Sequence, residues 1–382
     1  MTKIIFDKAA LVSAILPALC AVSDRNTLTA IEGIYFETTE EGSCILCSYD
    51  MEKGIHEVVE AQVIEGGSFI VNAAKLSRMI RMMPQDTITI EVDDKYMCKI
   101  TSGSSCFELH SLPGADFPAI PVLQGNHSFK IAQGVLKRII SQVQFAIAQN
   151  DQRAALNGAF FEVSEGVLKL VACDGNKLAI RKTECEMNEI VSESGSLSLS
   201  FIVPGKTLSE LLKLIGEQEE EITVALTHRH IIFFLDKLTF FSRLIDTEYI
   251  DYQRFIRKES SISVYMSRDA FVSSLERAAL VTEDRAMGQA KASVKCSFED
   301  GVLNVFASNL SGSVHDHVPI EKEGEDLLIG FNNKYLLDAL RACPEDNLKI
   351  TLASALMSMQ IEGTDPQGAD QFLYMILPVK MS

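Results

Sequence analysis

The stretch 36–50, FETTEEGSCILCSYD, is written twice more, as FEVSEGVLKLVACD at 161–174 and as CSFEDGVLNVFASN at 296–309. Each copy is an apolar run, an acidic residue followed by glycine, and a second apolar run. The turn glycines Gly42, Gly166 and Gly301 lie 124 and 135 residues apart, so the repeat is the size of a domain. One fold recurring about every 127 residues points to a curved or closed surface built by tandem copies, not to a single catalytic pocket.

Other landmarks recur in step. VNAAKLSRMIRMM from Val71, VPGKTLSELLKLI from Val203 and FNNKYLLDALRAC from Phe331 superpose without gaps. Leu76, Leu208 and Leu336 then align, as do Ile80, Leu212 and Leu340, the i+4 spacing that puts both on one helical face. A breaker follows each time (Pro84, Gly216, Pro344), and then a strand-like run: DTITIEV, EEITVAL or NLKITLA. An earlier helix recurs from Phe6, Ile131 and Met266. Each module therefore holds two amphipathic helices and several strands. The fold class is α+β: three copies of one domain, expected at 1–125, 126–256 and 257–382. The polar residues around 184–196 read as a longer surface loop of the second copy.

Three domains of ordinary size fit in 382 residues. No run reaches the roughly 18 apolar residues of a membrane span, so no membrane partner is expected. Ala9 to Val22 is apolar enough to suggest the core of a secretory leader. Asp7 and Lys8 before it, and its alignment with two internal helices, favour a helix of the first domain. Nine cysteines scattered through apolar segments suit a reducing cytosol and form no disulfide framework. Cys44 and Cys47 make a lone CxxC within a strand, where residues three apart face opposite sides. They read as core thiols rather than zinc ligands.

The formal charge is −17, which argues against nucleic acid, but its distribution argues for it. The six repeated helical segments together carry +7, leaving −24 on the remainder. Arg81, Lys213 and Arg341 occupy one aligned position in the three copies. If the copies curve with helices inward, the inner wall is basic and the rim acidic.

No GxxxxGK[ST] loop and no GxGxxG after a strand occurs, so no nucleotide or dinucleotide cofactor is expected. His228/His230 and His315/His317 form HxH pairs, each able in a strand to share a face. Neither has a carboxylate or cysteine set at ligand spacing, so no metal is expected and both read as surface or turn histidines. With no Trp, a base-stacking platform is not expected either.

HSLPGADFPAI (110–120), QFAIAQNDQRAALNGAFFEV (144–163), VACDGNKLAI (171–180), FFSRLIDTEYIDYQRF (240–255), IGFNNKYLLDAL (329–340) and YMILPVKM (374–381) resemble the bacterial DNA polymerase III beta subunits, the sliding clamps. The likeness runs from the first helix to the last residues. It implies a head-to-tail homodimeric ring of six domains, helices lining a hole that admits duplex DNA, and sheets outside. Such a protein is a cytoplasmic processivity factor and not an enzyme. Its partners are the polymerase III catalytic subunit, the clamp loader, and other polymerases and repair proteins that dock through short peptides.

Carried over by position, the resemblance implies DNA contacts at Arg25, Asn150 and Arg153. Arg81, Lys137, Lys213 and Arg341 join them on helix charge alone. Where the family often has aromatic residues after that arginine, Ala154 and Ala155 follow here. The dimer contact is implied at Phe107 and Leu109 on one side and at Leu280 and Val281 on the other. The stretch SNLSGSVHDH (308–317) stands where the family has an acidic cluster. A peptide cleft is implied at Leu156, Gly175, Lys177, Leu178, Ile250, Arg254, Phe255, Asn332, Tyr335, Leu356, Ser358, Met375, Leu377, Pro378, Val379, Lys380 and Met381. Cys173, Asn176 and Val379 depart from common family choices. Two rival readings remain at this point: a clamp paralogue that binds partners outside the main replisome, and a tandem-repeat hydrolase with a metal at one of the HxH pairs.

Overall fold

The structure is a computed structural model that describes every residue except 24–27, 122–123, 194, 258, 283–292, 310–311, 366–369 and 381–382. The three repeated stretches are hairpins. Gly33–Thr38 pairs antiparallel with Ser43–Tyr49, Gly158–Ser164 with Val167–Cys173, and Ser293–Glu299 with Val302–Ser308. Gly42, Gly166 and Gly301 turn them at φ of +84°, +72° and +77°. A Cβ on any of the three would meet nothing within 4 Å. Glycine is needed there for the sign of φ, not for space.

The described residues hold six α-helices: α1 Lys8–Ala18, α2 Ala73–Met82, α3 Gln133–Val143, α4 Gly205–Leu214, α5 Arg268–Thr282 and α6 Asn333–Ala342. The Ala10 amide donates to Asp7 Oδ1 at 2.9 Å, capping α1. Asn72 and Asn332 cap α2 and α6 in the same way, each such cap stabilising by about 1 kcal/mol. The apolar stretch at 9–22 supplies α1, whose Leu11, Ala14, Ile15 and Ala18 are buried. Leu76 with Ile80 and Leu336 with Leu340 are fully buried, as their spacing predicts. In the middle copy Leu211 takes the second buried position and Leu212 is only half-buried. There α4 turns its i+3 row inward instead of its i+4 row, and both rows lie near one face.

The chain forms two compact units: Met1–Gln133, Met187–Ser196 and Lys213–Leu244 make one, and Gly134–Glu186, Leu197–Leu212 and Ile245–Ser382 the other. The middle sequence copy thus contributes to both. In the first unit a five-stranded sheet ends on Ser105–His110, and a ten-stranded sheet runs through the hairpin 33–49. That sheet is continuous because Lys53–Glu60 pairs edge to edge with Leu238–Arg243. Ile4, Phe6, Phe36, Phe69, Leu76 and Ile100, from both sheets and α2, lie in one core of the first unit. In the second unit a nine-stranded sheet is joined where Lys177–Glu184 pairs with Asp370–Ile376, and a four-stranded sheet ends on Ser313–Pro319. The segment read as a loop at 184–196 includes a strand, Asn188–Val191, which pairs with His127–Ala132. All its side chains are exposed, so it carries no inward apolar row to betray it.

Cys44 and Cys47 are both fully buried, and burial pushes each thiol up to about 12. They are core residues, and their opposed directions on the strand keep them from sharing one ion.

Candidate functional site

Edge pairing in the second unit builds an apolar floor. Leu178 lies directly opposite Met375 across the antiparallel seam, so both point to one face. They pack with Leu156, Ala148, Val171, Cys173, Ile180 and Tyr252, and half-buried Ile250, Tyr249 and Phe160 lean on the same cluster. Four of the implied cleft residues (Leu156, Leu178, Ile250, Met375) therefore meet in one place.

Lys177 alternates to the other face of the strand. It is 7% exposed, pairs with Asp174 Oδ2 at 3.4 Å, and lies 4.6 Å from the Tyr335 ring centroid. Ammonium over ring holds Tyr335, one turn into α6, beside the strand. Asn332 spends its carboxamide oxygen on the Lys334 and Tyr335 amides. Gly175 turns at φ +87°, and a Cβ there would come within 3.2 Å of Arg153 Nη2. The C-terminal strand is pinned at two further points: Leu377 N donates to Asn176 O at 2.9 Å, and Val379 N to Gly330 O at 2.8 Å.

Three further implied cleft residues are apolar with little cover. Leu356 is 90% exposed, Phe255 56% and Leu377 45%. Arg254 reaches out and pairs with Asp251 Oδ2 at 2.5 Å. Ser358 is buried, Pro378 half-buried and Lys380 exposed, while Met381 lies outside the described residues. Buried anchors together with loosely covered apolar residues are what a short peptide with a few large side chains requires.

Sequence reasoning missed the tyrosines of EYIDYQRF. Tyr249 stacks on Phe160 with centroids 5.0 Å apart, and its hydroxyl donates to Val171 O at 3.3 Å. Desolvation pushes its phenol well up, so it remains a donor. Tyr252 donates to Glu162 Oε2 at 2.8 Å, and Lys169 closes the triad on Glu162 at 2.8 Å. Their spacing of three with an acid between was the available signal, and it does not separate floor from surface.

The cationic side chains are distributed as follows. Arg81, Lys213 and Arg341 each sit in the last turn of their helix and are exposed. A cation at a helix C-terminus is also favoured by the helix dipole. Arg341 Nη2 is held by Glu276 Oε1 at 2.7 Å. Lys137 is half-buried on α3. Asn150 is exposed at φ +58°. Arg153 is 60% exposed and grips Asp151 at 3.0 Å; that contact holds the Asp151 carboxyl below its usual range. Arg25 lies outside the described residues.

Phe107 and Leu109 share the core face of Ser105–His110; Phe107 is 37% exposed and Leu109 9%. Leu109 belongs to the first unit's core as well. Leu280 is 83% exposed in the last turn of α5, and the Val281 carbonyl accepts from Asn309 Nδ2 at 2.5 Å. Among the described residues of one chain, no three His, Cys, Asp or Glu side chains gather as a metal set.

Three family models match in order: DNA polymerase III beta subunit N-terminal domain at 2–121, central domain at 130–251 and C-terminal domain at 253–380. The beta sliding clamp of Halalkalibacterium halodurans is 32% identical over 371 residues, 94% of each chain. The crystal structure of the Bacillus subtilis DNA polymerase sliding clamp superposes with a TM-score of 0.91 at 26% identity over the whole of both chains. That of the Pseudomonas aeruginosa sliding clamp bound to griselimycin gives 0.87 at 28%, again over both entire chains.

Proposed function

The chain belongs to the DNA polymerase III beta subunit family and is a DNA sliding clamp, and we propose that two copies join head to tail into a closed ring around duplex DNA. The observation that carries this is the run of three family modules across 2–380. It is supported by two unpaired sheet edges, Ser105–His110 and Ser313–Pro319, beside exposed Phe107 and Leu280. Each edge offers a row of unpaired backbone groups, and each has an apolar side chain ready to be covered. The modules follow the boundaries 1–125, 126–256 and 257–382.

A closed ring is held by topology, so its DNA contacts can be weak enough to slide. The cationic helix ends and Arg153 guide phosphates without fixing register, and the acidic remainder discourages binding outside. No chemical step is involved. The protein works in the cytoplasm, where it tethers the polymerase III catalytic subunit after a clamp loader has opened the ring. Other polymerases and repair proteins take turns in the cleft over Leu178 and Met375. Met375 and the loosely covered Leu356 and Leu377 let the floor adapt to several peptides.

Retention on DNA tests this reading. Loaded onto nicked circular DNA, the protein should stay through gel filtration, and linearising the circle should release it. Equal loss from both forms would favour a paralogue that binds partners without encircling DNA.

A further inference from the structure

The two open edges carry metal-ligand side chains on the faces that point away from the cores. On Ser313–Pro319, Val318 is buried and Asp316 bonds Arg277 of α5, so the even-numbered residues face the core. His315 and His317 are exposed on the other face, with ring centroids 4.4 Å apart. His315 stacks on Phe306 at 4.1 Å. His317 Nδ1 lies 2.6 Å from Oδ1 of Asn304, itself 7% exposed. With that oxygen as acceptor, the proton sits on Nδ1 and Nε2 is left bare, the arrangement in which a second partner orients a metal-binding imidazole.

On Ser105–His110 the core face holds Phe107 and Leu109, opposite Ile100 and Cys98. Cys106, Glu108 and His110 therefore share the outward face, and all three are exposed. Two sheets that continue one another must keep their core faces on the same side. Pairing these edges between copies therefore also aligns the two outward rows. Same-face side chains on adjacent strands stand about 4.5–5.5 Å apart at Cβ. That is within reach of one ion bound at about 2.0–2.3 Å.

We propose that each junction between copies is a divalent transition-metal site of the zinc class, held by His315 and His317 of one copy and by the Cys106, Glu108, His110 row of the other. It rests on the ring reading above, and one chain alone cannot complete it. Imidazole with thiolate or carboxylate selects zinc-like ions over magnesium or calcium. The metal would tighten the ring where 308–317 holds Asp316 as its one acidic residue.

The test uses the full-length protein stripped with EDTA and given Zn2+, Co2+ or Mg2+. Sedimentation over a dilution series should show the dimer dissociation constant falling at least about tenfold with Zn2+ and not with Mg2+. Co2+ should give the visible absorption of a tetrahedral site. Both effects should vanish in H315A/H317A and in C106S/E108Q/H110A, whose substituted side chains are all exposed. An equimolar mixture of the two variants regenerates one intact junction per mixed dimer; with half the dimers mixed, the Co2+ band should return at about a quarter of its native strength. A dimer that forms equally well in EDTA and Zn2+, with no Co2+ band, overturns the metal site and leaves the ring standing. A Co2+ band that persists in either variant also overturns it. A chain that stays monomeric under every condition overturns the ring and this proposal together.

Discussion

Glu57 shows how much one side chain can report. It shares the inward face of Lys53–Glu60 with Ile55 and Val59, lies opposite Leu46, and its Oε2 has no partner. Desolvation raises its pKa from 4.5 to about 7, and Lys237 only partly opposes this. Folded Glu57 thus holds its proton more tightly than the unfolded chain does. Its contribution is fully present below about pH 4.5 and is lost as pH rises through about 7. Glu57→Gln should match the native protein in acid and exceed it above neutrality by about 1–2 kcal/mol, discounted for partial exposure. Urea melts of both proteins across this pH range check it, and a gap independent of pH would contradict the assignment. The cleft residues divide on similar grounds. Leu178 is 4% exposed and Leu377 45%. Leu178→Ala should cost about 2–4 kcal/mol of folding stability. Leu377→Ala should cost less than about 0.5 kcal/mol yet weaken peptide binding at least about tenfold, with dimerisation unchanged. Thermal melts and fluorescence titration with a labelled partner peptide separate the two effects.

Elements were legible in the sequence wherever a backbone rule left a mark. The turn glycines mark the hairpins because only glycine adopts their positive φ cheaply, and with no clash to relieve the cost is purely conformational. Gly166→Ala should therefore lower stability by about 1–2 kcal/mol without disturbing the cleft. Calorimetry together with peptide affinity would show a lowered melting temperature at constant dissociation constant. Helices were equally plain in Leu76/Ile80 and Leu336/Leu340, and caps such as Asp7 and Asn332 agree with them. What failed to show had no such mark. Asn188–Val191 lies on a sheet edge with every side chain exposed, so its pairing rests on backbone groups that any sequence supplies. Leu211 and Leu212 differ in burial by a small rotation of α4, which periodicity does not resolve. The packing of Leu178, Met375, Leu156 and Ile250 in one cluster was legible only through resemblance. Leu178 and Met375 are 197 positions apart in sequence, and their pairing is a property of two strands meeting edge to edge. Tyr249 and Tyr252 entered that floor on a spacing that does not separate floor from surface.

For the whole molecule the decisive quantity is the division of charge, +7 on the helical segments against −24 elsewhere. A body so acidic repels DNA unless cations line the path of the duplex, and the proposed ring assigns that part to the helix ends. Arg81 is exposed in the last turn of α2, whereas Arg341 is already engaged by Glu276 at 2.7 Å. The aligned positions are therefore not equivalent. To meet a phosphate, Arg341 must exchange one anion for another, and removing it forfeits less. Each phosphate neutralised steepens the fall of log K with log salt by about 0.9. In a ring of two copies, Arg81→Ala removes two cations and should flatten that slope by about 1.8. Arg341→Ala should flatten it by less than its share of one unit per copy. Glu276→Gln should move the other way, freeing Arg341 and tightening the hold on duplex. Equilibrium binding of the purified dimer to short duplexes across a salt series reads all three. A slope indifferent to Arg81 would place the end of α2 away from the DNA and leave the ring, if it forms, without that guiding charge.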